Sequence, residues 1–232
     1  MRAPLTVSDF HNHGDCPGAR SGYRPSRAGG RRLQFAVKRL LDLLLAAMGL
    51  VVLLPLLLAL AALIRLESPG SPVFTQKRWG RNGRVFKVYK FRSMHSELGD
   101  RSGITQTVPN DPRVTRVGAV IRRTNLDELP QLLNVLKGDM SLIGPRCHAV
   151  GMLAAGMPYE LLVPDYHARH AVRPGMTGLA QMRGLRGPTD RADRARARIA
   201  ADLYYVENYS LLLDLHIAAG TIVSELRGGN GF

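Results

Sequence analysis

The sequence predicts an α+β fold that is mainly helical: a re-entrant membrane helix-hairpin precedes a small cytoplasmic domain with a β-hairpin and amphipathic interfacial helices. Three observations support this prediction. Residues 43–64 carry no charge, an Asn82-Gly83 pair separates two strand-like runs, and apolar residues recur at helical spacing after residue 130. We therefore divide the chain into a disordered segment at residues 1–30, a membrane-embedded helix at 31–66 and a cytoplasmic domain at 67–232.

The charge of the chain restricts the kind of partner that it can have. There are 32 Lys and Arg residues against 18 Asp and Glu, a formal net charge of +14. Such an excess implies an acidic partner, and nucleic acid, anionic lipid and nucleotide phosphates all qualify. Residues 1–30 mix Gly, Pro, Ser and Arg without apolar periodicity, so we expect them to be disordered. With two cysteines in the chain, no disulfide framework is expected.

The uncharged segment favours a membrane, because its length is close to the roughly 20 residues with which a helix crosses a hydrocarbon core. Both flanks are basic, so the positive-inside rule gives no direction of crossing and fits two cytoplasmic ends. Pro55 stands near the middle and removes a backbone donor, so we expect a break in the helix there. These two features favour a re-entrant hairpin, and a single span remains the alternative.

The segment after the membrane element predicts a β-hairpin. Val73–Trp79 forms the first strand, Asn82-Gly83 the turn, and residues 84–91 a second strand in which basic and apolar residues alternate. We expect the basic face of this hairpin to lie on anionic lipid head groups. That face consists of Lys77, Arg78, Arg84, Lys87 and Lys90. Arg92, at the end of the second strand, is instead a candidate ligand for phosphate.

An acidic pair, Asp127-Glu128, opens the next helical segment. If Asp127 is the N-cap, Pro130 falls in the first turn, where its missing N–H costs nothing, and the helix ends at Lys137 before a glycine. The competing register makes Asn125 the N-cap but places Pro130 where a hydrogen bond is lost. Acids at such a position commonly serve as helix caps. The predicted buried stripe of the helix consists of Leu132, Leu133 and Leu136.

The same pair permits a specific chemistry. An Asp with the usual pKa of about 3.9 is ionised at neutral pH and can act as a nucleophile without a base. A carboxylate that attacks a phosphate needs cations to neutralise the phosphoryl oxygens. The candidate arginines are Arg92, Arg122, Arg123 and Arg146, the last in the turn of LIGPR. Asp127 and Glu128 offer an oxygen-rich site that suits Mg²⁺.

Five sequence blocks, from about residue 33 to the end of the chain, resemble the bacterial sugar transferase family, the monotopic polyprenyl-phosphate phosphoglycosyl transferases, in their short form. The blocks are KRLLDLLLA, VFTQKRWGRNGRVFKVYKFRSM, NDPRVTRVGAVIRRTNLDELPQLLNVLKGDMSLIGPR, VRPGMTGLAQ and DLYYVENYSLLLDLHIAAGTI. The resemblance implies transfer of a phosphosugar from a UDP-sugar to polyprenyl (undecaprenyl) phosphate with release of UMP. It implies a phosphosugar-aspartate intermediate on Asp127, with Glu128 as a metal-site or proton-handling partner and Mg²⁺ bound there.

The resemblance also implies a location and partners. We expect residues 67–232 to form a catalytic domain at the cytoplasmic face of the bacterial inner membrane, initiating exopolysaccharide, capsule or O-antigen-type glycan assembly. The expected partners are the UDP-sugar, the polyprenyl phosphate and the lipid bilayer, with no nucleic acid, and a homo-oligomer stays open. Two other functions remain: a catalytically silent scaffold of a polysaccharide machine, and a membrane-anchored basic protein that binds nucleic acid.

Overall fold

The structure, a computed structural model, describes residues 28–95, 97 and 111–226. The fold is mainly helical with small pairs of strands, which confirms the predicted class. The helices are α1 Ala28–Glu67, α2 Arg116–Arg123, α3 Gln131–Lys137, α4 Tyr159–Leu162, α5 Leu179–Met182, α6 Ala192–Glu207 and α7 Leu211–Leu226. The strands are β1 Val73–Trp79, β2 Val85–Phe91, β3 Ser141–Ile143, β4 Leu153–Ala154, β5 Met157–Pro158 and β6 Gly175–Thr177. Of the segment predicted to be disordered, residues 1–27 lie outside the described residues.

The longest element is α1, with 40 residues. Over Arg32–Glu67 it is long and apolar enough to cross a membrane, with a mean hydropathy of 2.9 in an 18-residue window. Residues on both sides of Pro55 belong to this one helix, so the proline does not divide it into two elements. Proline is tolerated in apolar helices of this kind when local adjustments satisfy the freed backbone groups. The re-entrant path stays a prediction.

One face of α1 packs on the rest of the chain along nearly its whole length. Near its start Lys38 pairs with Asp214 of α7 at 2.8 Å. In its middle Ala46 is fully buried, and near its end Ile64 is 2% exposed. The opposite face is apolar and exposed, with Leu44, Met48, Val51, Val52, Leu58 and Leu66 among its side chains. Both ends of the helix therefore contact the same domain, while an apolar face is left uncovered.

The predicted β-hairpin is confirmed. Strands β1 and β2 are antiparallel, with Val73 opposite Phe91 and Trp79 opposite Val85. Asn82 has a φ of 57°, the left-handed conformation expected of Asn-Gly turns. The register brings the end of β2 next to the 3₁₀ turn Leu126–Glu128 that carries the acidic pair.

The predicted basic face of the hairpin is wrong at two positions. Lys87 and Lys90 are an odd number of residues apart and therefore point to opposite faces of the strand. Lys87 is exposed, whereas the ammonium of Lys90 donates to Glu128 Oε1 at 2.8 Å. Arg78 of β1 donates from Nη1 to the carbonyl of Cys147 at 2.8 Å. Lys90 and Arg78 thus make hydrogen bonds within the domain and do not belong to a lipid-facing surface.

The acidic pair lies in a 3₁₀ turn rather than at the cap of an α-helix. Asn125, with a φ of 55°, precedes this turn, and α3 begins after Pro130. The prediction of Asp127 as N-cap is therefore wrong, because the chain makes a separate turn before a proline that cannot donate to it. The predicted end is confirmed, with Gly138 at a φ of 94° after Lys137. In the stripe, Leu132 is buried but Leu133 is 44% exposed, because Val135 takes the inner position.

Candidate active site

Glu128 is held between two cations that come from different parts of the chain. Arg146 donates from Nη1 to Oε2 at 3.0 Å and from Nη2 to Oε1. Lys90 donates to Oε1 at 2.8 Å. Burial alone would raise the pKa of Glu128, but the charges of Arg146 and Lys90 outweigh it and hold this pKa well below its usual range. Glu128 is therefore a fixed anion that positions an arginine and a lysine.

Asp127 has a different environment from its neighbour. The residue is 7% exposed, and its nearest cation is Lys90, at 4.0 Å from Oδ2. Within the described part of the chain its carboxylate accepts no hydrogen bond. Burial raises the pKa of Asp127, Lys90 opposes this shift, and the adjacent Glu128 adds to it. A carboxylate that accepts no hydrogen bond and is more basic than usual is the better nucleophile of the two.

The turn that presents Arg146 is built on close contacts between glycine backbones. Strands β3 and β6 are parallel, with Ser141 opposite Gly175. A Cβ added to Gly175 would lie 2.1 Å from the nitrogen of Gly144, and one added to Gly178 would lie 2.2 Å from the Gly144 oxygen. Such approaches exclude any side chain at these positions. The PGMTG segment therefore packs closely against the LIGPR turn and fixes the position of the Arg146 backbone.

A buried ion pair holds the other side of this turn. Arg169 donates to the carbonyl of Arg146 and pairs with Asp202 of α6 at 2.6 Å. Both side chains are 1% exposed. A charge-assisted hydrogen bond to a carbonyl from a rigid, buried guanidinium limits the motion of the turn. Neither Arg169 nor Asp202 was among the residues predicted from the sequence.

The remaining predicted arginines occupy different places. Arg122 of α2 donates to Ser93 Oγ at 3.3 Å, and its positive charge acts to lower the pKa of Asp127. Arg123 is exposed on the same helix. Arg92 donates to the carbonyls of Ile64, Ser68 and Pro69, where α1 ends. Arg146 and Arg122 thus act on the acidic pair, while the described contacts of Arg92 anchor α1; phosphate binding by these arginines stays a prediction.

A tether from α7 reaches the residue that begins the acidic turn. Asn125 donates from Nδ2 to Glu225 Oε2 at 3.0 Å, and Arg186 donates to the other oxygen of Glu225 at 2.6 Å. Since Asn125 has the positive φ from which the 3₁₀ turn starts, this contact fixes the orientation of the turn. The partners are 100 positions apart in the chain, and no local pattern predicts such a pair.

Asp127 could contribute one carboxylate to a magnesium site, which the phosphates of a substrate would have to complete; Mg²⁺ binding stays a prediction. Among the residues that the structure describes, no group of three or more His, Cys, Asp or Glu could hold a metal by itself. Mg²⁺ is commonly held by one or two carboxylates together with substrate phosphates and waters. The oxygens of Asp127, which accept no hydrogen bond among the described residues, suit this mode. Both oxygens of Glu128 already accept from cations, so its role as a metal ligand stays a prediction.

Comparison with known proteins gives a consistent result. Residues 33–228 match the family model described as bacterial sugar transferase. The chain is 63% identical over 200 residues to the exopolysaccharide production protein PSS of Rhizobium leguminosarum bv. phaseoli, covering 86% of this chain and 100% of that protein. It is 47% identical over 209 residues to the UDP-glucose:undecaprenyl-phosphate glucose-1-phosphate transferase of Caulobacter vibrioides, covering 89% and 77%. The protein of the same name from Escherichia coli K12 is 45% identical over 186 residues, covering 80% of this chain and 39% of that longer protein.

Proposed function

The chain belongs to the bacterial sugar transferase family, and we propose that it transfers a phosphosugar from a UDP-sugar to undecaprenyl phosphate and releases UMP. The relatives from Caulobacter vibrioides and Escherichia coli are named as UDP-glucose:undecaprenyl-phosphate glucose-1-phosphate transferases. The Rhizobium relative is named for exopolysaccharide production. UDP-glucose is therefore the first donor to test, and initiation of an exopolysaccharide is the proposed role. The structural observation behind the proposal is a buried Asp127 that accepts no hydrogen bond among the described residues, beside a Glu128 that holds two cations.

In the first half of the reaction, one carboxylate oxygen of Asp127 attacks the phosphorus that carries the sugar. The new Asp127–phosphorus bond forms while the bond to the UMP oxygen breaks, and UMP leaves with that bonding pair. The product on the enzyme is a phosphosugar-aspartate. Because Asp127 accepts no hydrogen bond among the described residues, no such bond to the attacking oxygen has to break before the reaction.

The cations around Glu128 counter the charge that this attack brings together. A carboxylate and a diphosphate repel each other, so donors placed beforehand lower the barrier. The Arg146 guanidinium, oriented by Glu128, can present its remaining N–H groups to the phosphoryl oxygens. Lys90 lies between both carboxylates, at 2.8 Å from Glu128 and 4.0 Å from Asp127. A bound Mg²⁺, held by Asp127 and by Glu128 where it can share an oxygen, would supply further neutralisation of the donor phosphates.

In the second half, an oxygen of the polyprenyl phosphate attacks the same phosphorus. The bond to Asp127 breaks, the carboxylate is regenerated, and the product is a polyprenyl diphosphate sugar. Because the acceptor is a lipid, the site must open at the membrane surface. Leu126, the residue before Asp127, packs against the cluster that contains Leu60 and Ile64 of α1. The opposite, exposed apolar face of α1 would rest on the membrane.

We place the domain on the cytoplasmic face of the inner membrane, with both ends of α1 on that side. Lys38 and Ile64 both contact the folded domain. At 1.5 Å per residue they are about 39 Å apart along the helix, which exceeds a hydrocarbon core of roughly 30 Å. If the helix crossed the core, the parts of the domain that contact it would have to lie in the hydrocarbon, where polar loops are not tolerated. This contact pattern supports a re-entrant or shallow path over a perpendicular span.

Replacement of the nucleophile tests the reaction. Membranes that contain the wild-type chain, undecaprenyl phosphate, Mg²⁺ and UDP-glucose should release UMP, and Asp127→Asn should release none. Asp165→Asn, at an exposed carboxylate, is the control and should retain full release. Equal UMP release by Asp127→Asn would refute the nucleophile. No release by the wild type with any UDP-sugar of a panel would favour the silent scaffold.

Cysteine labelling tests the membrane path. In a Cys16→Ser, Cys147→Ala background, single cysteines are introduced by Arg32→Cys and Ser71→Cys, at exposed positions on the two sides of the apolar segment. An impermeant maleimide applied to inverted vesicles should label both positions, and the same reagent applied to spheroplasts should label neither. Labelling of the two positions from opposite sides would refute the re-entrant path.

A further inference from the structure

A buried amide joins the strand that carries Lys90 to the helix that follows the acidic pair. Asn134 of α3 is fully buried. Its Nδ2 donates to the carbonyl of Lys87 at 2.8 Å, and its Oδ1 accepts from the N–H of Tyr89 at 2.9 Å. Both partners belong to β2, which is also paired with β1. The side chain of Asn134 therefore bonds to β2 as a residue of a third strand would.

The backbone of Asn134 is also held in place. Its carbonyl accepts from the N–H groups of Gly138, Asp139 and Met140, at 3.1, 3.1 and 3.2 Å. These bonds close the C-terminus of α3, where carbonyls would otherwise lack partners. Asn134 is therefore a fixed point from which β2 can be positioned.

Helix α3 is continuous with the turn that carries the acidic pair. It begins three residues after Glu128, and hydrogen bonds bridge this interval. The N–H of Leu129 donates to the carbonyl of Leu126 at 3.2 Å, and the N–H of Leu132 donates to that of Leu129 at 3.1 Å. The position of the acidic turn is thus coupled to that of α3.

Strand β2 runs in the opposite direction along this segment. Residues 87–89 meet Asn134, and one residue later the ammonium of Lys90 lies 2.8 Å from Glu128 and 4.0 Å from Asp127. We propose that Asn134 is a positioning residue that sets the distance of the Lys90 ammonium from both carboxylates. This proposal rests on the proposed function, in which Lys90 counters the charge of the donor phosphates.

The contact requires the chemistry of an amide. One end of the side chain donates to a carbonyl and the other accepts from an N–H, and an uncharged Asn supplies both groups. Leucine has nearly the same shape but neither group. In Asn134→Leu the Lys87 carbonyl and the Tyr89 N–H would lose their partner, which is costly where water is excluded. We therefore expect β2 to move away from α3 in this variant and to carry Lys90 with it.

The reactivity of Lys90 tests its position directly. The full chain in detergent is treated briefly with N-acetoxysuccinimide, and acetylation of Lys90 and Lys87 is compared by mass spectrometry. Lys87 is exposed on the same strand and is the internal standard. The side chain of Lys90 is 18% exposed and donates to Glu128, so it should react slowly in the wild type. In Asn134→Leu the ratio of Lys90 to Lys87 acetylation should rise several-fold.

Further samples keep this test decisive. Asn134→Ala leaves space for water to bond to the strand, so it replaces Asn134→Leu if that variant does not fold. Leu162→Ala lowers stability in the core beside α4, away from the acidic pair, and should leave the ratio unchanged well below its unfolding midpoint. An unchanged ratio in the folded Asn134 variants would overturn the proposal. Equal acetylation of Lys90 and Lys87 in the wild type would overturn it without any variant.

Turnover gives a second measurement. Asn134→Ala should lower kcat for UMP release by about tenfold, because it displaces an oriented cation. Combined with Lys90→Gln, it should lose no more than Lys90→Gln alone, since residues that act through one contact are not additive. A merely structural defect would instead multiply with the loss of Lys90→Gln, and that result would also overturn the proposal.

The two measurements separate this proposal from the proposed function. If Asn134 does not position Lys90, the wild type releases UMP while the acetylation ratio is the same in the variants. If the transferase assignment fails, the wild type releases no UMP, while the acetylation ratio still depends on Asn134.

Discussion

Arg146 and Glu128 form a two-point ion pair, in which Nη1 donates to Oε2 at 3.0 Å and Nη2 donates to Oε1. The fork fixes the plane of the guanidinium as well as its position. Glu128 thereby neutralises part of the positive charge that surrounds the pair, and Asp127 is left without a hydrogen-bonded partner among the described residues. The two adjacent carboxylates thus differ: Glu128 holds two cations by hydrogen bonds, whereas Asp127 accepts none among the described residues.

The fork predicts that Arg146→Lys lowers the rate of transfer although it keeps the charge. A lysine can reach one oxygen of Glu128 but cannot make both bonds or hold a fixed plane. Loss of an oriented donor at a developing charge commonly costs about 100-fold in turnover. We expect a fall of that order in kcat for UMP release, with the control Arg84→Lys unchanged. Full activity of Arg146→Lys would show that charge alone is sufficient at this position.

The environment of Asp127 predicts the acid side of the pH profile. Because the reactive form is ionised, kcat/KM falls as pH falls through the pKa of this group in the free enzyme. Burial raises that pKa above the usual value for Asp of about 3.9, so the fall should begin at a higher pH than an ordinary carboxyl would give. UMP release measured from pH 4 to 8 gives the midpoint directly.

Two variants should move this midpoint in opposite directions. Lys90→Gln removes a cation that lowers the pKa of Asp127, so the acid limb should move to higher pH. Glu128→Gln removes an anion that raises this pKa, so the limb should move to lower pH. Both variants reduce activity, but the position of the midpoint does not depend on the size of the rate. Movement of both midpoints in one direction would show that another group controls the limb.

The parts of the fold that depend on neighbouring residues could be predicted from the sequence. The Asn82-Gly83 turn and the alternation in β1 and β2 depend on neighbours in sequence, and the hairpin has the predicted strands. The end of α3 before Gly138 has the same origin. Asp127, Glu128 and Arg146 were singled out as candidates, and the structure brings these three together.

The remaining parts of the site depend on contacts between distant segments. The sequence prediction assigns Lys90 to the lipid-facing bases, but its odd separation from Lys87 puts the two side chains on opposite faces of the strand, and Lys90 contacts Glu128. Arg169 and Asp202 meet across 33 positions of the chain, and neither carries a motif. Arg92 resembles a phosphate ligand in sequence, but the end of α1 provides three carbonyls for it. Burial and pairing of this kind follow from the tertiary structure.

The hydrogen bond between Asn125 and Glu225 predicts that replacement of either residue lowers turnover. Glu225→Gln turns one acceptor into a donor, facing either Asn125 or Arg186, so one of the two hydrogen bonds is lost. Displacement of a catalytic group by a fraction of an ångström lowers the rate, so we expect kcat to fall about tenfold with KM little changed.

Asn125→Gly is the matched variant for this tether. Glycine accepts the positive φ at this position but has no amide to donate. It should therefore lose the same factor as Glu225→Gln, and the double variant should lose no more than either single one, because residues in one contact are not additive. Multiplied losses in the double variant would show that the two residues act separately.

The buried pair Arg169–Asp202 predicts a stability effect that the exposed pair Arg191–Asp193 should lack. Burial raises the pKa of Asp202 despite the charge of Arg169, so the carboxylate is not ionised there without cost. The effect of Asp202→Asn comes mainly from Arg169, whose charge would remain buried and unpaired, at a cost of about 3–5 kcal/mol.

Thermal unfolding of the purified chain should show a large fall in midpoint for Asp202→Asn and none for Asp193→Asn, since that exposed pair is screened by water. Because Arg169 also donates to the carbonyl of Arg146, the remaining folded Asp202→Asn protein should release UMP more slowly at a temperature well below its midpoint. Equal midpoints for the two variants would show that the Arg169–Asp202 pair does not stabilise the fold.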